Sequence, residues 1–206
     1  MGGAARANEL VRGVYTEVIF GSKNKKYADY CSEITRNFQL KTNATSDMTG
    51  VELCAAMKNS YAIAGGMCQG LSEKLKISMD NVKSAFVAQA TIEMAKLIVP
   101  QGGKLETVMG QAGVGDLYCT VQGGRNGILG KLLGKGMSIK EAMEEMRDQT
   151  VEGYAATKGV YRLAKELQEK SRLNIKKDLP LFRQLYAVLY GGKSAQKAIE
   201  NYWTDV

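Results

Sequence analysis

VELCAAMKNSYAIAGGMCQGL, residues 51–71, is the stretch that decides the fold. Small and apolar residues fill almost all of it, which predicts a long helix that is buried over most of its surface. Lys58 and Asn59 interrupt the apolar run near its middle. On a helix, Cys54 and Ala62 would lie one turn either side of Lys58, and none of the residues beside it is acidic.

Lys58 is therefore a candidate general base. Desolvation without a counter-ion disfavours the charged ammonium, and a lysine that loses its proton easily can accept one near neutral pH. The alternative is a lysine whose aliphatic stem lies along the helix while its ammonium reaches solvent. Because fully buried lysines are rare, the helix taken alone favours this alternative.

The residue types present limit the chemistry further. The chain has no histidine, and its four cysteines (Cys31, Cys54, Cys68 and Cys119) form no CxxC pair. This composition argues against a zinc site or any other metal site of the usual kind, and it excludes a histidine base. Acid–base chemistry must come from Lys, Asp, Glu, Tyr or Cys. The cysteines stand in apolar contexts, so we expect small core residues in a reducing compartment.

Length and charge indicate a globular protein. The 206 residues are 45% hydrophobic and 24% charged, which predicts one domain, or one domain with a fragment of another. No apolar run is long enough for a membrane span, and no secretory signal opens the chain, so we expect a cytoplasmic protein. The net charge of +7 allows nucleic-acid binding. However, the lysines are mixed with Asp and Glu, which favours solvated helix faces and no nucleic-acid partner.

Residues 1–47 differ in their sequence pattern from the rest of the chain. Residues 14–20 and 38–45 are predicted to be strands, and residues 27–38 a short amphipathic helix between them. The spacing puts the larger side chains of this helix on one predicted buried face, namely Tyr27, Tyr30, Cys31 and Ile34. A strand–helix–strand unit of this size is smaller than a domain, and its exposed edges need covering.

Helical periodicity begins at Thr49. Thr49 and Glu52 have the spacing of a capping box, which predicts the start of the long helix. Gly65 and Gly66 inside it predict either close approach of another backbone or a kink. Residues 138–148 open with a second capping box, and residues 150–154 are predicted to be a break. Further helices are predicted at residues 79–99, 127–136, 155–170, 179–192 and 194–203.

Four stretches resemble, in order, segments of the NAD-dependent glycerol-3-phosphate dehydrogenases. They are residues 51–71, 110–127, 150–166 and 179–194. The resemblance implies a mainly α fold in which residues 48–206 form an all-helical substrate-binding and catalytic domain of the 6-phosphogluconate-dehydrogenase-like type. It implies that residues 1–47 are the end of an NAD-binding Rossmann domain. The reaction implied is the interconversion of sn-glycerol 3-phosphate and dihydroxyacetone phosphate.

The sequence departs from that family because it contains no GxGxxG fingerprint for the dinucleotide. We therefore expect most of the Rossmann domain to be missing or to be a separate partner. We expect the chain alone to be inactive or very weak, and to cover its exposed faces by self-association. The resemblance also implies NAD as cofactor, a small phosphorylated triose or glycerol substrate, a homodimer, and a role in glycerol phosphate metabolism and phospholipid synthesis.

The resemblance assigns catalysis to Lys58 and Asp116. Lys58 would exchange a proton with the substrate hydroxyl, and Asp116 would orient both groups. The absence of histidine supports this role for Lys58. Without the resemblance, Asp116 would be interpreted as a helix cap or turn residue, since a glycine precedes it.

The remaining site residues are also assigned by resemblance. Arg125 would bind the substrate phosphate bidentately, with the backbone N–H groups of residues 124–126 ahead of a helix. By itself the GGRNG sequence is better explained by an ordinary surface turn. The substrate-binding set implied is Gly3, Lys58, Asn59, Asp116, Thr120, Gly124, Arg125 and Asn126, and the cofactor-binding set is Ala7, Arg125, Thr150 and Glu152.

Two other functions stay open on the sequence. A remnant could retain the fold and a phosphate pocket without catalysis and act as a binding or interaction module. A basic helical protein could bind nucleic acid, but this hypothesis rests on net charge alone.

Overall fold

The computed structural model describes residues 1–204, and helices make up most of them, so the predicted mainly α fold is confirmed. A 3₁₀ turn at Val99–Gln101 and a π-helical segment at Gln111–Gly115 flank the short helix Leu105–Met109. In chain order the elements are α1 (Ala7–Val11), β1 (Thr16–Gly21), α2 (Lys25–Thr35), β2 (Leu40–Thr45), α3 (Met48–Leu75), α4 (Asp80–Ile98), α5 (Leu105–Met109), α6 (Asp116–Val121), α7 (Arg125–Lys135), α8 (Ile139–Glu145), α9 (Glu152–Glu169), α10 (Ile175–Asp178), α11 (Pro180–Gly191) and α12 (Ala195–Thr204).

The N-terminal unit is the expected strand–helix–strand. β1 and β2 are parallel, with Thr16 opposite Leu40, and α2 forms the crossover between them. Gly2 forms an isolated antiparallel bridge to Ile19 of β1. The unit packs on the helical part of the chain through Gly2, where an added Cβ would lie 3.1 Å from the Val51 side chain.

The predicted buried face of α2 is wrong. Tyr27, Tyr30 and Ile34 are each more than half exposed, and the buried residues of this helix are Ala28 and Ser32. Small side chains let α2 lie close to the sheet, where Ser32 Oγ donates to Thr42 Oγ1 at 3.0 Å. Periodicity alone could not show which of the two faces meets the strands.

The predicted capping box at Thr49–Glu52 is also wrong, because α3 begins directly after Asp47. Asp47 Oδ1 accepts from Gly50 N–H and its Oδ2 accepts from Lys104 N–H, both at 2.8 Å. Burial opposes ionisation of Asp47, but hydrogen bonds from the Thr107 side chain and these backbone groups keep its pKa below the ordinary value. One carboxylate therefore caps α3 and fastens the segment before α5.

α3 is the central helix, and it packs most extensively against α7. A Cβ on Gly66 would collide with the backbone carbonyl of Gly127, and one on Gly70 would collide with that of Lys131. In return, a Cβ on Gly130 would collide with the carbonyl of Ile63. The two backbones approach each other closely, as Gly66 predicted, and this fixes the start of α7 relative to the middle of α3.

The core also holds a buried carboxylate that no pattern predicted. Glu93 of α4 is fully buried and accepts hydrogen bonds from Tyr61 Oη of α3 at 2.7 Å and from Gln89 at 3.0 Å. It also accepts from the N–H groups of Leu181 and Phe182 in the first turn of α11. Burial raises the pKa of Glu93 to about 7, against the effect of these donors.

The other predicted helices match within a few residues, with one exception. α9 begins at Glu152 rather than at residue 155, so the break is shorter than predicted. The capping box of Ser138 and Glu141 is confirmed at the start of α8. Within residues 1–204, no helix combines the length and the apolar character that crossing a bilayer requires.

Candidate active site

A cavity of about 680 Å³ lies where the N-terminal segment meets α3, α6 and the start of α7. Its position follows from the close contact between α3 and α7, which brings the middle of one helix to the first turn of the other. Its lining residues come from four separate parts of the chain: Gly3, Ala5, Arg6, Ala7, Asn8, Lys58, Asp116, Cys119, Thr120, Gly123, Gly124 and Arg125.

Lys58 and Asp116 form an ion pair at the wall of this cavity. Lys58 Nζ lies 2.6 Å from Asp116 Oδ2, and the two side chains are 20% and 6% exposed. Asp116 also accepts a hydrogen bond from Gly3 N–H at 3.2 Å. No acidic residue lies within one turn of Lys58 on α3, as the sequence shows, and its carboxylate partner is Asp116, the residue that the resemblance assigned to orient it.

Thr120 completes the surroundings of Asp116. It is one turn further along α6, and its Oγ1 donates to the Asp116 backbone carbonyl at 2.6 Å. The same hydroxyl is 3.4 Å from Asp116 Oδ1. Thr120 therefore stabilises α6 and lines the cavity with a hydroxyl group.

Arg125 and Gly124 belong to the same lining. Gly124 has φ of 90° and precedes the first residue of α7, which is a conformation that favours glycine. The first N–H groups of a helix have no acceptor within it, so they suit an anion. Arg125 is half exposed, and its Nη2 forms an ion pair at 2.5 Å with Glu152 of α9.

Asn59 and Asn126 lie between helices rather than in the lining. Asn126 Nδ2 donates to Asn59 Oδ1 at 3.0 Å, and Asn126 Oδ1 accepts from Gly153 N–H at 2.8 Å. Asn59 Nδ2 donates to Ala55 O at 3.2 Å. These bonds join α3, α7 and α9, so both side chains support the cavity wall from behind.

Of the remaining residues assigned by resemblance, some line the cavity and others lie outside it. Gly3 and Ala7 line the cavity, whereas Glu152 meets it only through Arg125. Thr150 is exposed and lies outside the lining. The structure thus brings Lys58, Asp116 and Arg125 into one lining, and it leaves Thr150 outside it.

Sequence reasoning missed Arg6. Its Nη2 donates to Cys119 O at 2.8 Å, which holds the guanidinium at the cavity. No periodicity or motif surrounds Arg6, so no sequence signal could have found it.

The expectation of core cysteines holds for Cys54 and Cys68, which are buried, but not for Cys31 and Cys119, which are partly exposed. Burial, with the charges of Asp47 and Asp116, raises the pKa of Cys54 to about 12, so that thiol is not a nucleophile.

The lining suits one end of a dinucleotide. Gly3, Ala5 and Ala7 are small, so they leave space in the lining for a flat ring. Among residues 1–204, the structure contains only the two parallel strands β1 and β2 and no glycine-rich turn for a pyrophosphate. The residues present therefore fit the reacting ring and not the rest of the cofactor.

The geometry supports proton transfer next to an anion site. A lysine held by a carboxylate can give a proton to an oxygen or take one from it. A guanidinium and free helix N–H groups can hold a phosphate beside it. No group of three or more His, Cys, Asp or Glu side chains within residues 1–204 could hold a metal ion.

Comparison with known proteins identifies the family to which the chain is similar. Residues 47–200 match the family model described as NAD-dependent glycerol-3-phosphate dehydrogenase C-terminus. The NADP(+)-dependent glycerol-3-phosphate dehydrogenase of Archaeoglobus fulgidus is 38% identical over 200 residues, which are 96% of this chain and 57% of the relative. The glycerol-3-phosphate dehydrogenase [NAD(P)+] of Bacillus pumilus is 34% identical over 208 residues, which cover 100% of this chain and 56% of the relative.

A solved structure shares the fold. The crystal structure of glycerol-3-phosphate dehydrogenase from Coxiella burnetii matches with a TM-score of 0.84 at 31% identity, over 98% of this chain and 58% of that one. The chain thus spans a little more than half the length of the relatives that it matches.

Proposed function

The chain belongs to the family of NAD-dependent glycerol-3-phosphate dehydrogenases, and we propose that residues 48–206 are the substrate-binding and catalytic domain of such an enzyme. The reaction is the reversible oxidation of sn-glycerol 3-phosphate to dihydroxyacetone phosphate. One observation carries the proposal, namely the 2.6 Å pair of Lys58 and Asp116 in a cavity that Arg125 also lines.

Lys58 exchanges the proton of the substrate hydroxyl. In oxidation, the C2–H bond breaks with loss of hydride, the O–H proton passes to neutral Lys58 Nζ, and C2 and its oxygen form a carbonyl. In reduction, the Lys58 ammonium returns that proton to the oxygen. The ion pair with Asp116 suits the ammonium, and Asp116 keeps the amine pointed at the same place in both directions.

Arg125 binds the phosphate. Its guanidinium exchanges Glu152 for two phosphate oxygens, and this exchange is easy because the pair is half exposed and so contributes little stability. Gly124 and the first N–H groups of α7 complete the phosphate site. Asn59 and Asn126 position this turn through their bonds to α9.

A bound nicotinamide dinucleotide supplies the hydride acceptor. We propose NAD, with its ring beside Gly3 and Ala7, and we assign contacts with the rest of the cofactor to Thr150, Glu152 and Arg125. The relatives' names include both NADP(+) and NAD(P)+. Residues 1–47 would then belong to a dinucleotide-binding domain that is incomplete in this chain, which has no GxGxxG sequence.

The test is oxidation of NADH by dihydroxyacetone phosphate, measured by absorbance. We expect little or no turnover from this chain alone, and turnover once the N-terminal part of the Archaeoglobus fulgidus relative is supplied. Lys58→Ala should remove the restored activity. If glycerol 3-phosphate binds but no supplied domain restores turnover, the chain is instead a phosphate-binding module.

We also propose a cytoplasmic homodimer that serves glycerol phosphate metabolism and phospholipid synthesis. An apolar groove of about 860 Å³ beside α4 supports association with a second copy, since Ile92, Leu105 and Met109 line it and are each more than half exposed. Light scattering should give twice the mass of the chain, and a monomer at micromolar concentration would refute the dimer.

A further inference from the structure

The cavity contains a cation that the proposed mechanism does not use. Arg6 lines the same cavity as Lys58 and Arg125. Those two pair with carboxylates at 2.6 and 2.5 Å, whereas Arg6 Nη1 lies 3.6 Å from Glu9 Oε1, the carboxylate with which it pairs. Arg6 is thus the least neutralised of the three cations in the lining.

The guanidinium of Arg6 is held in place by a neutral group. Its Nη2 donates to the backbone carbonyl of Cys119 at 2.8 Å. Cys119 belongs to α6, the short helix that also carries Asp116 and Thr120. Because α6 fixes both the carbonyl and Asp116, Arg6 has a set position relative to Lys58, and its other N–H groups remain for a ligand.

The charge of the lining suits a phosphate ester. Arg6, Lys58 and Arg125 line the cavity with Asp116, and the carboxylates paired with Arg6 and Arg125, Glu9 and Glu152, lie outside the lining in partly exposed pairs that a ligand can replace. A phosphate monoester carries a charge of about −1.5 to −2 at neutral pH. A neutral polyol carries no charge to replace Glu9 and Glu152, so Arg6 and Arg125 would stay paired with them.

We propose that Arg6 is a second phosphate-binding guanidinium of this site, which contacts the substrate phosphate together with Arg125. It makes the cavity selective for dianionic phosphate esters over neutral polyols. This inference rests on the proposed function, because the group that Arg6 contacts is the phosphate of the proposed substrate.

Calorimetric titration of the purified chain with sn-glycerol 3-phosphate tests the inference. We expect Arg6→Gln to weaken binding roughly tenfold to a hundredfold, the range for a lost hydrogen bond to a charged group. Arg6→Lys should lose at least about threefold, because an ammonium lacks the bidentate fork. The control is Arg12→Gln. Arg6 directly precedes α1 and Arg12 directly follows it, but Arg12 is exposed and lies outside the lining.

Two further probes identify the group that Arg6 contacts. Inorganic phosphate should lose affinity by a similar factor in Arg6→Gln, whereas any weak binding of glycerol should not change. A mere structural role would weaken both. A fall confined to NADH, or an affinity for glycerol 3-phosphate within twofold of wild type, would overturn the inference. If Arg6→Gln does not fold by circular dichroism, Arg6→Lys decides by the same criteria.

Failure of the proposed function gives a different result. If Lys58→Met and Arg125→Gln leave binding of glycerol 3-phosphate unchanged, or if the wild-type chain does not bind it, the proposed function fails, and the inference about Arg6 fails with it. If Arg125→Gln weakens binding and Arg6→Gln does not, only the inference about Arg6 fails.

Discussion

At the scale of single residues, the site depends on which charged side chains the fold brings into contact. Lys58 stands on an apolar helix with no acidic neighbour in sequence, and its partner Asp116 comes from a helix 58 positions away. The lysine was therefore visible in the sequence, but its ion pair could be assigned only through resemblance to a family. Arg6 had neither a pattern nor a resemblance to point to it, and its position came from the fold alone.

Lys58 gives the first prediction. In the enzyme completed with a dinucleotide-binding domain, Lys58→Met should reduce kcat by about 10²–10⁴-fold, the usual contribution of a positioned acid or base. Lys74→Met is the matched control, because Lys74 is exposed on the same helix. A loss of less than tenfold at Lys58, or an equal loss at Lys74, would argue against proton transfer by this residue.

Glu93 gives a prediction about pH. Its folded-state pKa of about 7 lies above the unfolded value of 4.5, so the native state holds the proton more tightly between these values. The contribution of Glu93 to the free energy of unfolding is thus greatest below pH 4.5 and is lost as pH rises to about 7. Linkage puts that loss at up to about 3 kcal/mol.

Urea unfolding at pH 5 and pH 7.5 measures this effect. The free energy of unfolding should fall over that interval in wild type and change much less in Glu93→Gln, whose side chain does not titrate. Glu106→Gln, at an exposed position of α5, should retain the wild-type slope. Identical slopes in wild type and Glu93→Gln would show that Glu93 is ionised throughout.

At the scale of secondary structure elements, close packing of α3 on α7 builds the cavity. Gly65 and Gly66 predicted an approach of another backbone, but they could not say which one. α3 begins at Met48 with Asp47 as its cap, rather than at the predicted capping box, and Asp47 also accepts a hydrogen bond from the N–H of Lys104. Local spacing identifies the residues that could cap a helix. Which of them does so also depends on contacts with a distant segment, here the one that contains Lys104.

Gly66 tests the contact between α3 and α7. Gly66→Ala should destabilise the protein by about 1–3 kcal/mol, the typical cost of overpacking, because its methyl group would collide with the carbonyl oxygen of Gly127. Gly159→Ala is the control, since a Cβ there meets nothing within 4 Å on α9. That change should be neutral or stabilise by up to about 1 kcal/mol. Chemical denaturation distinguishes these outcomes, and equal effects would contradict the packing described.

Asp47 tests the start of α3. Asp47→Ala should cost about 1–3 kcal/mol in the free energy of unfolding, since two backbone N–H groups lose their acceptor. Thr49→Ala, the corresponding change at the cap that the sequence predicted, should stay within about 0.5 kcal/mol. The reverse order of the two effects would restore the capping box as the true start.

At the scale of the whole molecule, the sequence predicted the mainly α fold, the strand–helix–strand unit and most helix positions. These follow from periodicity, which is a local property. The buried face of α2 and the hydrogen bonds of Glu93 were not predictable, because both depend on which distant surfaces meet. The cavity is formed in the same way, between residues 3–8 and helices that begin about 40 or more positions later.

A crystal structure of the chain with sn-glycerol 3-phosphate tests the central claim most directly. The account predicts the ligand in the cavity, with its C2 hydroxyl about 3 Å from Lys58 Nζ and its phosphate oxygens within hydrogen-bonding distance of Arg125 and Arg6. Density for the ligand at another surface, or in the cavity with its phosphate against Lys58 and its hydroxyls towards Arg125, would contradict the account.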